Sequence, residues 1–386
     1  MYKLTFIFTK ILIETSFETD WRTSQIMKPN IIRIKDIAKM AGVSEGTVDR
    51  VLHKRGKVSK SSEDRVNKIL NKINYRPNLI AKTLGKNKNY RIVAITPNPA
   101  LDPYWKQSFD GLKLGEKQLA QVGIQLTLEL HFYDPHKKET FREVTLKVFH
   151  SHPDGVLVAP LFYYASIPFF KKLTESNIPF ILFNTHIAEA NALSFIGQDL
   201  YKSGCLAAEL LSLGKKDSSS FAIIHIDEDI SNSVHLIEKE KGFKDYFKRY
   251  DNIPLIHTFL LSNPKHPSFK HELELIAKTP NIAGVFVSTS KVFTVASYLK
   301  KTDPAIRIIG YDLIKENLEG LQHGTIDFLI NQNPMRQAKL GIQALSNYLL
   351  FNKEVPSSHL FPLEIITAQN VSSYLSHDSN RSGITV

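Results

Sequence analysis

The chain has 386 residues, of which 42% are hydrophobic and 23% are charged, and these proportions exclude a disordered or fibrous protein. Its length allows about two or three domains of ordinary size. The 49 lysines and arginines exceed the 38 acidic residues by 11. Residues 31–90 hold 15 of the basic residues and 5 of the acidic ones, so one N-terminal segment carries nearly all the excess charge. Such asymmetry indicates a nucleic-acid partner.

Several protein classes are excluded by what the sequence lacks. The single cysteine, Cys205, excludes an internal disulfide and a cysteine-ligated metal centre. No run approaches the roughly 20 apolar residues that span a bilayer. The sequence contains no dinucleotide fingerprint, no phosphate-binding loop and no nucleophile elbow, so it predicts neither a cofactor nor an enzyme.

Residues 1–30 precede the first predicted domain. The apolar run Leu4–Phe8 would suit a secretory signal. However, Lys10 and Glu14 interrupt the apolar stretch, and no Ala-x-Ala-like cleavage site follows. We therefore interpret this segment as a disordered leader, with Met27 as the true start of the protein.

Residues 31–76 are predicted to form three short helices. The first has an apolar stripe at helical spacing, made by Ile34, Ile37, Ala38 and Ala41. Gly42 is expected to end this helix in a left-handed conformation, and Ser44 and Ser59 are expected to cap the second and third helices. The pattern predicts a helix-turn-helix domain whose second helix enters the major groove. The alternative is a surface helical hairpin that binds nothing.

The segment contains the motif Ile-Lys-Asp-Ile-Ala-x-x-Ala-Gly-Val-Ser-x-x-Thr-Val-x-Arg-Val-Leu from Ile34, followed by Val58-Ser59, Asn74-Tyr-Arg-Pro-Asn78 and Ala81-x-x-Leu84. These residues resemble the LacI/GalR family of repressors. The resemblance implies that residues 77–90 form a hinge helix and linker, and that the hinge folds on the operator. It also implies that Leu84 enters the minor groove of a bent duplex. Otherwise Leu84 is an ordinary linker residue.

The resemblance further implies which residues contact DNA: Ser44, Glu45, Gly46, Thr47, Arg50, Ser59, Asn78 and Leu84. The guanidinium of Arg50 suits guanine O6 and N7. Glu45 could accept from cytosine N4 or favour the positive end of its own helix. Gly46 offers no side chain for readout.

The pattern changes from Arg91 onward. Short apolar runs recur, mostly separated by enough residues for a helix: Ile92–Ile95, Gln125–Phe132, Gly155–Ala159, Pro179–Phe183, Phe221–His225, Gly284–Val287 and Ile306–Gly310. Continuous apolar strands that alternate with helices predict parallel sheets covered on both faces. Their number predicts an α/β domain of two doubly wound lobes, with ligand bound at the carboxyl ends of the strands.

This part resembles the periplasmic sugar-binding-protein fold, which serves as the sensor in the same family. The resemblance implies an effector-binding domain at 91–375, followed by a polar tail at 376–386. It also implies three crossings between the lobes, near residues 186–190, 331–334 and 353–359. The lobes would then comprise 91–187 with 334–352, and 190–331 with 360–375.

Side chains at the strand ends are the candidate effector contacts. They are Tyr104, Trp105, Asp134, Asn184, Thr185, Lys239, Thr289, Asp312 and Gln332. Tyr104 and Trp105 could stack on a sugar, and Asp134 could accept from its hydroxyls. Lys239 stands where the family has an arginine, and it loses the bidentate fork of that residue.

Other motifs carry less weight. His150 and His152, with Pro153, resemble the His-x-His-Pro of zinc isopeptidases, but the downstream Ser-x-x-Asp is absent. Asn370-Val-Ser372 fits a glycosylation acceptor that a cytoplasmic protein would not use. The sequence thus predicts a cytoplasmic, homodimeric, ligand-responsive repressor that binds operator DNA and a sugar or related metabolite. The rivals are a solute-binding protein of a sugar transporter and an enzyme on the same fold.

Overall fold

The computed structural model of the chain describes residues 34–53, 55–73, 89–216 and 219–375. These residues form two compact units, one within 34–73 and the other within 89–375. The predicted leader, nearly all of the predicted hinge and the predicted tail lie outside the described residues.

The first unit consists of three helices, Ile34–Ala41 (α1), Glu45–His53 (α2) and Lys60–Lys72 (α3). Their apolar stripes meet in a small core in which Ile37 and Val48 are fully buried. Gly42 ends α1 with a φ of +63°, where any other residue would be strained. Ser59 caps α3 by accepting a hydrogen bond from the backbone N–H of Ser62. The predicted helix-turn-helix fold is confirmed.

The second unit alternates strands and helices along the chain. Its strands are Tyr90–Pro97 (β1), Leu126–Tyr133 (β2), Gly155–Val158 (β3), Phe180–Phe183 (β4), Ser194–Gly197 (β5), Ser220–Ile226 (β6), Ile256–Leu261 (β7), Ile282–Val287 (β8), Arg307–Tyr311 (β9), Phe328–Asn331 (β10), Ser358–Leu360 (β11) and Glu364–Ile366 (β12). Its helices are Pro103–Gln121 (α4), Lys138–His150 (α5), Tyr163–Glu175 (α6), Leu200–Ser212 (α7), Val234–Phe247 (α8), Phe269–Lys278 (α9), Phe293–Thr302 (α10), Lys315–Gln322 (α11) and Pro334–Phe351 (α12). Single 3-10 turns lie at Ala188–Ala190 and Ile230–Asn232.

The strands form two sheets, one in each lobe. The sheet of the first lobe has the order β11-β5-β4-β3-β1-β2 and is parallel throughout. The sheet of the second lobe has the order β12-β10-β9-β8-β6-β7, with β12 antiparallel to β10. Every residue of β3 and β4 is buried, as expected for strands covered on both faces. The predicted pair of doubly wound sheets is confirmed.

The first crossing between the lobes lies later in the chain than the sequence predicts. The prediction places it near residues 186–190, but β5 still belongs to the first sheet, because Phe195 pairs with Leu182 of β4. The first lobe therefore extends to Gly197 and not to residue 187. The run is short and follows an irregular loop, so its pattern does not reveal which sheet it joins.

The third crossing is corrected in the same direction. Residues 353–359 are predicted to connect the lobes, yet β11 pairs with β5 of the first sheet through His359 and Ile196. The chain leaves the first lobe only after Leu360. All three residues of β11 are exposed, so no apolar run marks this edge strand.

A single side chain joins the three crossing segments. Gln198 follows β5, and its Nε2 donates hydrogen bonds to the Asn331 carbonyl at 2.9 Å and to the Pro362 carbonyl at 2.7 Å. Asn331 ends β10, and Pro362 lies between β11 and β12. The first, second and third crossings are therefore held together at one amide.

Candidate nucleic-acid interface and ligand cavity

The exposed face of α2 carries most of the predicted base-reading residues. Ser44 precedes the helix, and its Oγ accepts a hydrogen bond from the Thr47 backbone N–H at 3.2 Å and lies 2.9 Å from Thr47 Oγ1. Glu45, Gly46 and Arg50 are exposed, whereas Val48 on the opposite face is fully buried. The first turn of α2 thus presents polar groups that no side chain of the described core covers.

Basic residues surround this face. Arg55 and Lys57 are exposed in the turn between α2 and α3. Ser59 is also exposed, and its Oγ donates to Ser62 Oγ at 3.0 Å while it caps α3. A DNA phosphate would therefore compete with Ser62 for the hydroxyl of Ser59. Asn78 and Leu84, the other two predicted DNA contacts, lie outside the described residues.

A cavity of about 50 Å³ lies between the two lobes of the second unit. Seven of the nine predicted effector residues line it: Tyr104, Trp105, Asn184, Lys239, Thr289, Asp312 and Gln332. Asn184 and Asp312, which directly follow strands of opposite lobes, have positive φ angles of 69° and 70°.

The structure places the other two predicted residues outside the cavity lining. Thr185 is 1% exposed and lies behind Asn184, to whose Oδ1 its hydroxyl donates at 3.1 Å. Asp134 shapes its own turn, because its Oδ1 accepts the His136 backbone N–H at 2.9 Å. An aspartate at a strand end serves such a turn as readily as it serves a ligand.

The first lobe supplies the aromatic wall. Tyr104 and Trp105 begin α4 and are 6% and 4% exposed, with ring centroids 4.9 Å apart in an edge-on arrangement. Asp102 caps this helix by accepting the Tyr104 backbone N–H at 2.9 Å. The Nδ2 of Asn184 donates to the Tyr104 hydroxyl. Burial raises the pKa of Tyr104 well above its usual value, so the phenol remains neutral.

The second lobe supplies a buried pair of charged groups. Lys239 is 3% exposed, and its Nζ donates to the Ser288 carbonyl at 2.9 Å and lies 3.7 Å from the centre of the Tyr311 ring. Asp312 accepts hydrogen bonds from the backbone and the side chain of Gln332, at 3.2 and 2.8 Å. Burial lowers the pKa of Lys239 and raises the pKa of Asp312. The charge of each residue acts on the pKa of its partner in the opposite direction to burial.

A hydrogen-bonded chain supports the wall behind Lys239. The Nδ1 of His225 lies 2.7 Å from Ser288 Oγ, and its Nε2 lies 2.9 Å from Glu240 Oε2. Lys244 also binds Glu240. The hydrogen bond with His225, together with Lys244, lowers the pKa of Glu240 to about 2 against the effect of burial. This chain fixes Ser288, whose carbonyl accepts from Lys239.

Four charged or titratable lining residues are absent from the sequence-based prediction: Asp102, Glu228, His235 and Lys291. Glu228 follows β6, so the strand-end rule applied at this strand would have found it. His235 lies one helical turn before Lys239, a spacing that places both on one face of α8. From the sequence, Asp102 would be predicted only as a helix cap and Lys291 only as a loop residue.

The two lobes contact each other beside the cavity. His136 of the first lobe lies against Asp227 of the second, with Nδ1 3.2 Å from the carbonyl and Nε2 3.5 Å from Oδ2. The Tyr164 backbone N–H donates to Asn232 Oδ1 at 3.1 Å. The turn that Asp134 shapes therefore holds a contact between the lobes.

The alternative motifs find little support in the structure. His150 ends α5, and His152 follows it with a φ of 48°. Across the described residues, no group of three histidine, cysteine, aspartate or glutamate side chains could hold a metal ion. No helix within those ranges is long and apolar enough to cross a membrane.

Comparison with known families places both units. Residues 33–78 match the family of bacterial regulatory proteins of the lacI type, and residues 93–354 match the periplasmic binding protein domain. The protein joins a LacI-family DNA-binding domain to a domain of the periplasmic binding protein family. Members of the lacI family are transcription regulators, so this chain is a DNA-binding regulator with a ligand-binding domain.

Individual relatives agree with this assignment. The sucrose operon repressor of Streptococcus mutans is 22% identical over 360 residues, which cover 88% of this LacI-family chain and 100% of the relative. A crystal structure described as a LacI transcriptional regulator from Bacteroides fragilis has a TM-score of 0.69 and 26% identity, and the match covers 74% of this chain and 100% of that one. The glucose-galactose binding protein GanP of Geobacillus stearothermophilus shares the fold, with a TM-score of 0.62, 20% identity, and coverage of 74% and 99%.

Proposed function

We propose that the protein is a sugar-responsive repressor that acts as a homodimer on a near-palindromic operator in the cytoplasm, where its DNA partner is found. The observation that carries the proposal is the presence, in one chain, of an exposed reading helix and a cavity with aromatic and polar walls. A solute-binding protein would need only the second.

DNA recognition is assigned to the first unit. Arg50 reads a guanine, and Ser44, Glu45, Gly46 and Thr47 meet neighbouring base edges or phosphates. Ser59 meets the backbone, while Asn78 and Leu84 act in the hinge. The exposure of α2 and the basic turn beside it support this assignment. Two copies of α2 read two half-sites one helical turn, or a multiple of it, apart.

The effector is assigned to the cavity between the lobes. Trp105 and Tyr104 offer aromatic rings to the apolar face of a sugar ring, and Asn184, Asp312 and Gln332 offer hydrogen bonds to its hydroxyls. The names of a sucrose operon repressor and of a glucose-galactose binding protein among the relatives support a sugar as the ligand class.

The ligand acts by linking the lobes. Trp105 and Asn184 belong to the first lobe, and Lys239 and Asp312 belong to the second, so a molecule between them favours the closed arrangement. Closure changes how the first lobes of the dimer meet, and the hinges then release DNA. In a family member that needs a co-repressor, ligand binding would instead strengthen DNA binding.

The test uses the full chain and duplexes that it selects from a random pool. Fluorescence anisotropy should show tight binding at about 50 mM salt and a steep loss of affinity by about 200 mM, because phosphate contacts release counterions. Sucrose, D-glucose, D-galactose or D-ribose should shift the binding curve, and light scattering should give a dimer. A chain that selects no duplex at low salt, with or without sugars, contradicts the proposal.

A further inference from the structure

His235 uses one of its ring nitrogens and leaves the other without a partner. It lies in the first turn of α8, lines the cavity and is 8% exposed. Its Nε2 lies 2.8 Å from Glu228 Oε2. Its Nδ1 is buried and has no hydrogen-bond partner among the residues that the structure describes. A buried polar atom without a partner is costly, and on a residue that lines the cavity it points to a ligand that would satisfy it.

Glu228 determines which role Nδ1 can take. Burial would raise the pKa of Glu228, but His235, Lys291 and Lys239 together lower it, so Glu228 is a carboxylate and can only accept. The Nε2 of His235 must then carry the hydrogen of the bond between them. In the neutral imidazole, this leaves a lone pair on Nδ1, and Nδ1 is an acceptor.

The cationic groups of the cavity are already engaged. The Nζ of Lys239 donates to Ser288 and faces the Tyr311 ring, and the Nζ of Lys291 lies 3.4 Å from Asp227 Oδ2. The carboxyl groups of Asp102, Glu228 and Asp312 line the same space. An anionic ligand would meet these carboxyl groups beside two lysines that already hold other partners, so the cavity favours a neutral ligand rich in donors.

Building on the proposed sugar response, we propose that His235 determines specificity by accepting, at Nδ1, a hydrogen bond from a hydroxyl of a neutral sugar. Glu228 is the positioning residue that fixes the tautomer. A sugar that lacks this hydroxyl leaves Nδ1 unpaired and is rejected, because a site built for a hydroxyl discriminates strongly against its absence. The effector is therefore a neutral sugar that presents a hydroxyl to the first turn of α8.

Two substitutions separate the two ring nitrogens. His235→Gln places an amide near the Nε2 position, where it can bind Glu228, but leaves nothing at Nδ1. His235→Asn places an amide oxygen near Nδ1 and can replace the acceptor. His271→Gln is the matched control, because His271 lies on α9 of the same lobe with its side chain 71% exposed.

Calorimetric titration of each purified full-length variant gives the affinities. The panel contains sucrose, D-glucose, D-galactose and D-ribose, their monodeoxy derivatives, D-glucosamine, D-gluconate and glucose 6-phosphate. We expect a neutral sugar to bind the wild type. His235→Gln should weaken it about 10-fold or more, while His235→Asn and His271→Gln stay within about 3-fold. One monodeoxy sugar should bind the wild type as weakly as its parent binds His235→Gln.

Each other outcome overturns a defined part of the proposal. Equal affinity of a sugar for the wild type and for His235→Gln removes His235 from recognition and leaves the sugar response intact. Preferred binding of gluconate, glucose 6-phosphate or glucosamine, with a proton exchange that appears when buffers of different ionisation enthalpy are compared, refutes the neutral acceptor. If no panel member binds a wild type that still binds DNA, both the sugar response and the role of His235 are wrong.

Discussion

The DNA-reading face and the ligand cavity place charged residues in opposite environments. Arg50 in α2 and Arg55 just after it are exposed, whereas Lys239 and Asp312 are 3% and 1% exposed. An exposed charge stays hydrated, so its removal weakens binding to a partner and changes the stability of the fold little. A buried charge also supports the packing around it, and its removal leaves the opposite charge uncompensated. Binding and stability should therefore change together in the cavity and separately on the reading face.

The largest expected effect is that of Lys239→Met. The variant leaves the buried Asp312 carboxyl without the cation that lowers its pKa, so the free energy of unfolding should fall by up to about 3–5 kcal/mol at pH values where Asp312 is ionised. Burial already raises the pKa of Asp312, and loss of Lys239 raises it further. The deficit should therefore shrink as the pH falls and Asp312 becomes neutral. Urea denaturation at several pH values measures both effects.

Lys248→Met is the matched control for that variant. Lys248 is also paired, with its Nζ 2.6 Å from Asp245 Oδ1, but its side chain is 70% exposed. Its removal should cost less than about 1 kcal/mol. Equal losses for the two variants would mean that the contrast between buried and exposed charge does not hold in this protein.

Arg50→Ala should give an intermediate effect that is confined to DNA binding. The affinity for the selected operator should fall by about 1–3 kcal/mol, and preference should relax at one base pair. The thermal unfolding midpoint should not change. Lys171→Ala in α6, also exposed, removes one positive charge outside the reading face and should leave the base preference intact. Unchanged sequence preference in Arg50→Ala would remove this residue from base readout.

The smallest expected effect concerns Glu240, which is paired and only partly buried. Its pKa is lowered in the folded protein to about 2, mainly by His225. Such a carboxyl stabilises the fold above its unfolded pKa and loses that contribution as the pH falls toward its folded value. Between about pH 5 and pH 2, the wild type should lose about 1 kcal/mol more stability than Glu240→Gln. Glu175 is a loosely paired surface residue, so Glu175→Gln should show the same pH dependence of stability as the wild type. The same pH dependence in Glu240→Gln and the wild type would contradict the stabilising role of the Glu240 carboxylate.

The local signals of the three-helix unit made it predictable from sequence. Gly42, Ser44 and Ser59 lie at helix ends, and the stripes around Ile37 and Val48 fix which faces meet. In the two-lobed unit, the central strands could be recognised because they are buried on both faces. The sequence wrongly placed β5 in the second lobe and most of the edge strand β11 in a crossing segment, since pairing with a distant strand leaves no local pattern.

The cavity was predictable to the extent that its residues directly follow strands. Asn184 and Asp312 do so, and they line the cavity. Asp134 also follows a strand, but its carboxylate is used by its own turn. His235 comes from the first turn of a helix, and the lone pair that gives it a role depends on Glu228, which is close only in the folded chain. Chemistry that arises from such a pair has no signature in the linear sequence.

The amide of Gln198 has a mechanical consequence for the lobes. The three backbone segments that cross between the lobes meet at this side chain, and two hydrogen bonds from its Nε2 hold them together. Sliding one lobe past the other would stretch both bonds, whereas tilting about that point leaves them nearly unchanged. These two hydrogen bonds therefore oppose sliding of one lobe past the other more than they oppose tilting.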